Sequence, residues 1–134
     1  MDDQKISLCD ISSPALAYLG DSVIEILVRQ ALVESGISSS KKLNERALMF
    51  VSAPAQAAAV KNILEELTEE ETSFFKRGRN IGHTNTPKRS SVGEYRMATG
   101  FETLFGYLKI SGNEARAREL FEIAYRTELE ELKK

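Results

Sequence analysis

One cysteine and one histidine in 134 residues already exclude several kinds of protein. A single thiol, Cys9, can make neither an internal disulfide nor a zinc site, which points to a reducing, cytoplasmic setting. Cys9 itself is expected as a small, half-buried residue near a chain end rather than as a nucleophile. His83 has no partner histidine or cysteine and reads as a polar loop residue, not a metal ligand. No apolar run approaches the length needed to cross a bilayer, and the opening Met-Asp-Asp-Gln-Lys lacks the charged-then-apolar pattern of a secretory signal. No membrane is therefore expected among the partners. Internal repeats, low-complexity tracts and long linkers are also missing. No stretch alternates apolar and polar residues as a half-buried strand would.

What is present is the balance of a folded chain: 42% hydrophobic and 28% charged residues, enough for one core in one domain spanning 1–134. The net charge of −2 conceals an uneven distribution. Lys76, Arg77, Arg79, Lys88, Arg89 and Arg96 face only Glu94 in their stretch, which carries +5 and leaves −7 for the remainder. An acidic protein with one concentrated basic segment points to a localised contact with a polyanion.

Helical periodicity dominates, so the class is all-α. Ser12 and Pro14 read as an N-cap and a first-turn proline, opening a helix that runs to about Glu34 and stops at Gly36. Ser39 or Ser40 opens a second through Phe50, and Ser52 with Pro54 a third through Leu67. Thr68 with Glu71, and Ser91 with Glu94, are capping boxes. The first predicts a short helix ending near Gly78, the second a helix through about Leu108. Asn113 caps a last helix that runs almost to the end, with Leu120, Ile123, Ala124 and Thr127 expected on its core face. Between Gly78 and Ser90 the glycines, asparagines and proline predict a loop.

Two acids occupy unusual places. Asp21 sits mid-helix, where aspartate is a poor helix former, amid Leu16, Leu19, Val23, Ile24, Leu27 and Val28. Gly20 precedes it and Ala17 lies one turn before. Glu102 sits among Met97, Phe101, Leu104, Phe105 and Leu108, with Ala98, Thr99, Gly100 and Gly106 as small neighbours. Mid-helix glycine costs about 1 kcal/mol relative to alanine, so glycines beside a carboxylate imply that something must come close. Two inward carboxylates repel unless a cation joins them, and oxygen ligands suit Mg²⁺ or Mn²⁺.

The run Leu16-Ala17-Tyr18-Leu19-Gly20-Asp21-Ser22-Val23 resembles the signature helix of the ribonuclease III family, usually Leu-Glu-Phe-Leu-Gly-Asp-(Ala/Ser)-Val. Ala98-Thr99-Gly100-Phe101-Glu102-Thr103-Leu104 resembles that family's second acidic helix, usually Ala-Asp-x-Phe-Glu-Ala-Leu. The Tyr95–Glu102 and Val51–Ala57 runs are similar to Mini-III members, which lack a double-stranded-RNA-binding domain. The resemblance implies the all-α ribonuclease III endonuclease fold and a metal-dependent endoribonuclease that cuts double-stranded RNA, leaving 5′-phosphate and 3′-hydroxyl ends. It also implies maturation of the large-subunit ribosomal RNA precursor as the role. Of the family's usual four acids, Asp21 and Glu102 match the second and fourth, as catalytic and metal-holding residues. Ala17 and Thr99 stand at the other two positions. Tyr18 takes the place of a phenylalanine that enters the partner subunit, which implies a homodimer.

Arg77, Arg79, Lys88, Arg89 and Arg96 are the candidates for the RNA backbone, since phosphate contacts position a duplex without reading its sequence. Glu25 could reach the acidic site, but Arg29 four residues on makes a surface pair the plainer reading. Two other readings stand beside the nuclease. One is a catalytically inactive ribonuclease III-like module that binds structured RNA, favoured by Ala17 and Thr99. The other is a helical protein-interaction module, which accounts for neither the glycines nor the basic segment.

Overall fold

Capping chemistry sets most helix limits in the computed structural model, which describes residues 7–81 and 91–134. The helices are α1 (Ser13–Glu34), α2 (Ser40–Val51), α3 (Ala53–Lys61), α4 (Glu69–Arg79), α5 (Val92–Ile110), α6 (Glu114–Ala124) and α7 (Arg126–Leu132). No strand occurs among the described residues, as the all-α expectation requires. Ser12, Ser39, Ser52 and Asn113 each accept a first-turn backbone N–H through their side chains. Both capping boxes, Thr68–Glu71 and Ser91–Glu94, are closed in both directions. Gly36 follows α1 with φ +96°, a left-handed turn that glycine takes without steric cost.

Three helical expectations need correction. The third helix stops at Lys61, and a single 3-10 turn covers Leu64–Glu66. At its end Asn62 donates its side-chain amide to the Ala124 carbonyl at 2.9 Å, satisfying an acceptor that the end of α6 leaves open. The last helix is two helices, because Tyr125 leaves helical geometry at φ −112°, ψ 28°. Its ring is fully buried among Phe50, Phe101 and Phe121, and its hydroxyl donates to the Phe50 carbonyl at 2.6 Å. That break turns Thr127 outward to solvent rather than into the core. Cys9 is exposed, not half-buried, in the one-turn 3-10 segment Leu8–Asp10.

Helix α5 is the axis of the molecule. It is buried from Ala98 to Leu108 with the exception of half-buried Glu102, and α1, α3 and α4 pack around it. Leu16, Ile24, Val28 and Leu32 form the inward stripe of α1. A part-buried ion pair, Arg116 with Glu71 at 2.9 Å, joins the start of α6 to the start of α4. Among the described residues no helix is long and apolar enough to cross a membrane.

Candidate active site

The glycines expected to admit something close admit the neighbouring helix. A methyl group on Gly20 of α1 would overlap the Glu102 carbonyl oxygen and lie 2.8 Å from the Gly106 nitrogen of α5. One on Gly106 would overlap the Leu16 carbonyl oxygen and lie 2.7 Å from its carbon. Helices α1 and α5 therefore cross backbone against backbone. Asp21 follows the contact residue of α1, and Glu102 is itself the contact residue of α5. The crossing brings their carboxylates together.

Asp21 is exposed and Glu102 half-buried. The Glu102 carboxyl is pushed up to about 8, first by burial, then by the negative charge of Asp21 and a hydrogen bond to it. Among the described residues no basic side chain offsets these effects. The pair floors a depression of about 320 Å³ walled by Tyr18, Tyr95, Pro14 and Ile81. Ala17 and Thr99 complete its lining, and Thr99 donates its hydroxyl to the Tyr95 carbonyl at 2.9 Å. A larger hollow between α1, α6 and α7 is lined by acids and bases in equal number, Glu34, Glu122 and Glu130 with Arg118, Arg126 and Lys133. Mixed charge of that kind leaves no electrostatic conflict for a ligand to resolve.

A divalent cation fits the acidic pair. Two adjacent carboxylates with no neutralising base among the described residues form a hard-oxygen donor set whose conflict a cation relieves. No group of three or more His, Cys, Asp or Glu residues suited to a metal occurs among the described residues. Mg²⁺, which retains several waters, needs few protein ligands.

This arrangement predicts a pH dependence. Glu102 ionises near 4.5 in the unfolded chain and near 8 in the folded one. A carboxyl with a raised folded value favours the folded state while it is protonated, and that contribution is lost as pH rises from about 4.5 to about 8. Thermal melts in EDTA should show Tm falling across that window, and Glu102→Gln should flatten the fall. Added Mg²⁺ should raise Tm more at the alkaline end than at the acid end. Equal Mg²⁺ effects at both ends would contradict a metal seated on Glu102.

The other sequence candidates are scattered. Arg96 is exposed on the second turn of α5. Arg79 lies over the Phe75 ring at 5.8 Å and donates to Asn80. Arg77 is turned inward, donating from Nε to Ser13 Oγ at 3.1 Å and from Nη2 to the Ile11 carbonyl at 2.6 Å. Those donors are spent on the protein rather than presented to a phosphate. Lys88, Arg89 and His83 lie outside the described residues. Glu25 makes the surface pair with Arg29, at 3.1 Å. Tyr18 is 84% exposed. Tyr95 escaped sequence reasoning as a wall of the site, although its spacing of seven residues before Glu102 places both on one helix face.

Residues 14–113 match the family model described as the Ribonuclease III domain. The chain belongs to the ribonuclease III family. It is 38% identical to the Mini-ribonuclease 3 of Clostridium tetani, over 89% of this chain and 80% of that one. It is 44% identical to the Mini-ribonuclease 3 of Enterococcus faecalis, over 79% of this chain and 82% of that one. A crystal structure of a protein from Fusobacterium nucleatum superposes with TM-score 0.80 and 29% identity, covering 89% of this chain and 95% of that one. The all-helical ribonuclease III fold expected from the two acidic runs is thus the fold observed. As a ribonuclease III family member the chain is an endoribonuclease.

Proposed function

We propose that this chain is a single-domain, Mg²⁺-dependent endoribonuclease that cleaves double-stranded RNA at the Asp21–Glu102 site. The observation that carries this reading is the glycine-tight crossing of α1 and α5, which holds two carboxylates together with no base between them among the described residues. Mg²⁺, or Mn²⁺ in its place, would be held by Asp21 and Glu102. When bound it would stabilise charge on the phosphodiester and make water a better nucleophile. The chain's own part is to keep the two carboxylates aligned and to wall the site with Tyr18 and Tyr95. Arg79, Lys88, Arg89 and Arg96 would hold the RNA backbone. By resemblance to Mini-III, the substrate is a large-subunit ribosomal RNA precursor in the cytoplasm.

A test uses long double-stranded RNA with the purified chain in Mg²⁺ and then in EDTA. Cleavage to 5′-phosphate products in Mg²⁺ alone is expected. Binding without cleavage in either condition would instead support the inactive module, the reading that Ala17 and Thr99 favour.

A homodimer belongs to the same proposal, since a duplex has two strands and each chain one acidic pair. Tyr18, Ile26 and Val33 are exposed apolar residues of α1, and Tyr18 stands at the wall of the site itself. Sedimentation at micromolar concentration should show a dimer, and Tyr18→Ala should shift it toward monomer with less double-strand cleavage. A fully active wild-type monomer would sink the dimer.

A further inference from the structure

Two consecutive residues of α4 grip the two helices that carry the acids. Gly78 lies against α5, where a methyl group would overlap the Thr103 side chain and sit 2.9 Å from the Thr99 carbonyl oxygen. Those positions flank Glu102. Arg77 reaches the other way, to the segment that leads into α1. Its Nε donates to Ser13 Oγ at 3.1 Å and its Nη2 to the Ile11 carbonyl at 2.6 Å. The guanidinium also lies 4.9 Å above the Phe74 ring, which stacks on Tyr107 of α5 at 4.2 Å. A planar, multi-donor guanidinium suits this bridging role, whereas a lysine ammonium cannot reproduce the fork.

We propose that Arg77 is a positioning residue for the metal-holding pair, latching the start of α1 to α4 and α5 so that Asp21 is held opposite Glu102. The proposal rests on the reading of Asp21 and Glu102 as metal ligands. α1 enters the site through Pro14, Ala17 and Tyr18, which line the depression above the pair. Arg77 takes up the Ile11 carbonyl of its lead-in and the hydroxyl of Ser13, its first residue. Releasing that lead-in frees α1 to slide or tilt on its glycine contact, and the carboxylates lose alignment before the fold is lost. Partners that orient metal ligands act on affinity in this way.

The test separates this role from phosphate binding and from simple stability. Mg²⁺ is titrated calorimetrically into the metal-free wild type, Asp21→Asn, Arg77→Gln, Arg77→Lys and Ser13→Ala, well below the Tm of each. RNA binding in EDTA is measured against salt for the same chains, with Arg96→Gln for comparison. The wild type should bind Mg²⁺ and Asp21→Asn should not. Arg77→Gln should weaken Mg²⁺ binding about tenfold, with Arg77→Lys and Ser13→Ala in between and the salt slope of RNA binding unchanged. Should Arg77→Gln fail to fold, Ser13→Ala, which removes one hydrogen bond, carries the comparison. Unchanged Mg²⁺ affinity would overturn the proposal, whether or not Tm falls. So would a salt slope reduced by about one unit, the mark of a lost phosphate contact. A wild type that binds no Mg²⁺ would remove the metal reading itself and the Arg77 role with it.

Discussion

Asp21→Asn should cut double-stranded RNA cleavage about a hundredfold or more, the scale on which loss of a metal-holding carboxylate acts, and leave thermal stability close to wild type. The side chain is exposed, and asparagine keeps its shape while removing the anionic ligand. Glu102→Gln should have a similar catalytic effect, with a different stability signature. Its carboxyl ionises near 8, so the amide mimics the protonated form and should stabilise the metal-free protein at alkaline pH. The double variant should be little worse than either single one, because residues acting as a unit are not additive. RNA binding in EDTA should survive in all three. Cleavage at the wild-type rate by Asp21→Asn, at matched Mg²⁺, would remove Asp21 from the mechanism.

Gly106→Ala and Gly20→Ala should each destabilise the fold by about 3 kcal/mol or more, at or beyond the upper end for overpacked sites. The atoms in the way are main-chain atoms of the facing helix, with the Leu16 carbonyl carbon 2.7 Å from a methyl on Gly106. No rotamer change can clear them, so α1 and α5 must part. For a domain of this size that corresponds to a Tm lowered by roughly 10 °C. Gly93→Ala is the control. Among the described residues its added methyl would meet only the Ser91 hydroxyl at 3.9 Å, and alanine's helix propensity should make it neutral or stabilising by up to about 1 kcal/mol. The crossing also aligns the acids, so Mg²⁺ should protect either destabilised variant less than it protects the wild type. Equal melting of Gly106→Ala and Gly93→Ala would refute the tight crossing.

The two crossing glycines show how far local reasoning reaches. Their cost in a helix is visible in the amino-acid order, as is their place beside Asp21 and Glu102. That the close object is another backbone is not visible, because the contacts join Gly20 to Glu102 and Gly106 to Leu16. Arg77 is a similar case. Its position in a basic stretch reads as a phosphate contact, yet partners at Ile11 and Ser13 turn it inward. Tyr125 carries no local helix-breaking signal. The Phe50 carbonyl, at the other end of a hydrogen bond between distant residues, supplies the reason for the break.

Sequence alone determined the helical class, nearly every helix start, the stop at Gly36 and the two acids worth watching. Each of these depends on hydrogen bonds, caps and periodicity acting within about four residues. Only the tertiary structure decided that Asp21 and Glu102 share one depression, that Glu102 holds its proton to about pH 8, and that Arg77 serves the fold. Those outcomes depend on desolvation and on distances between helices, which arise only when segments far apart in the chain are packed together.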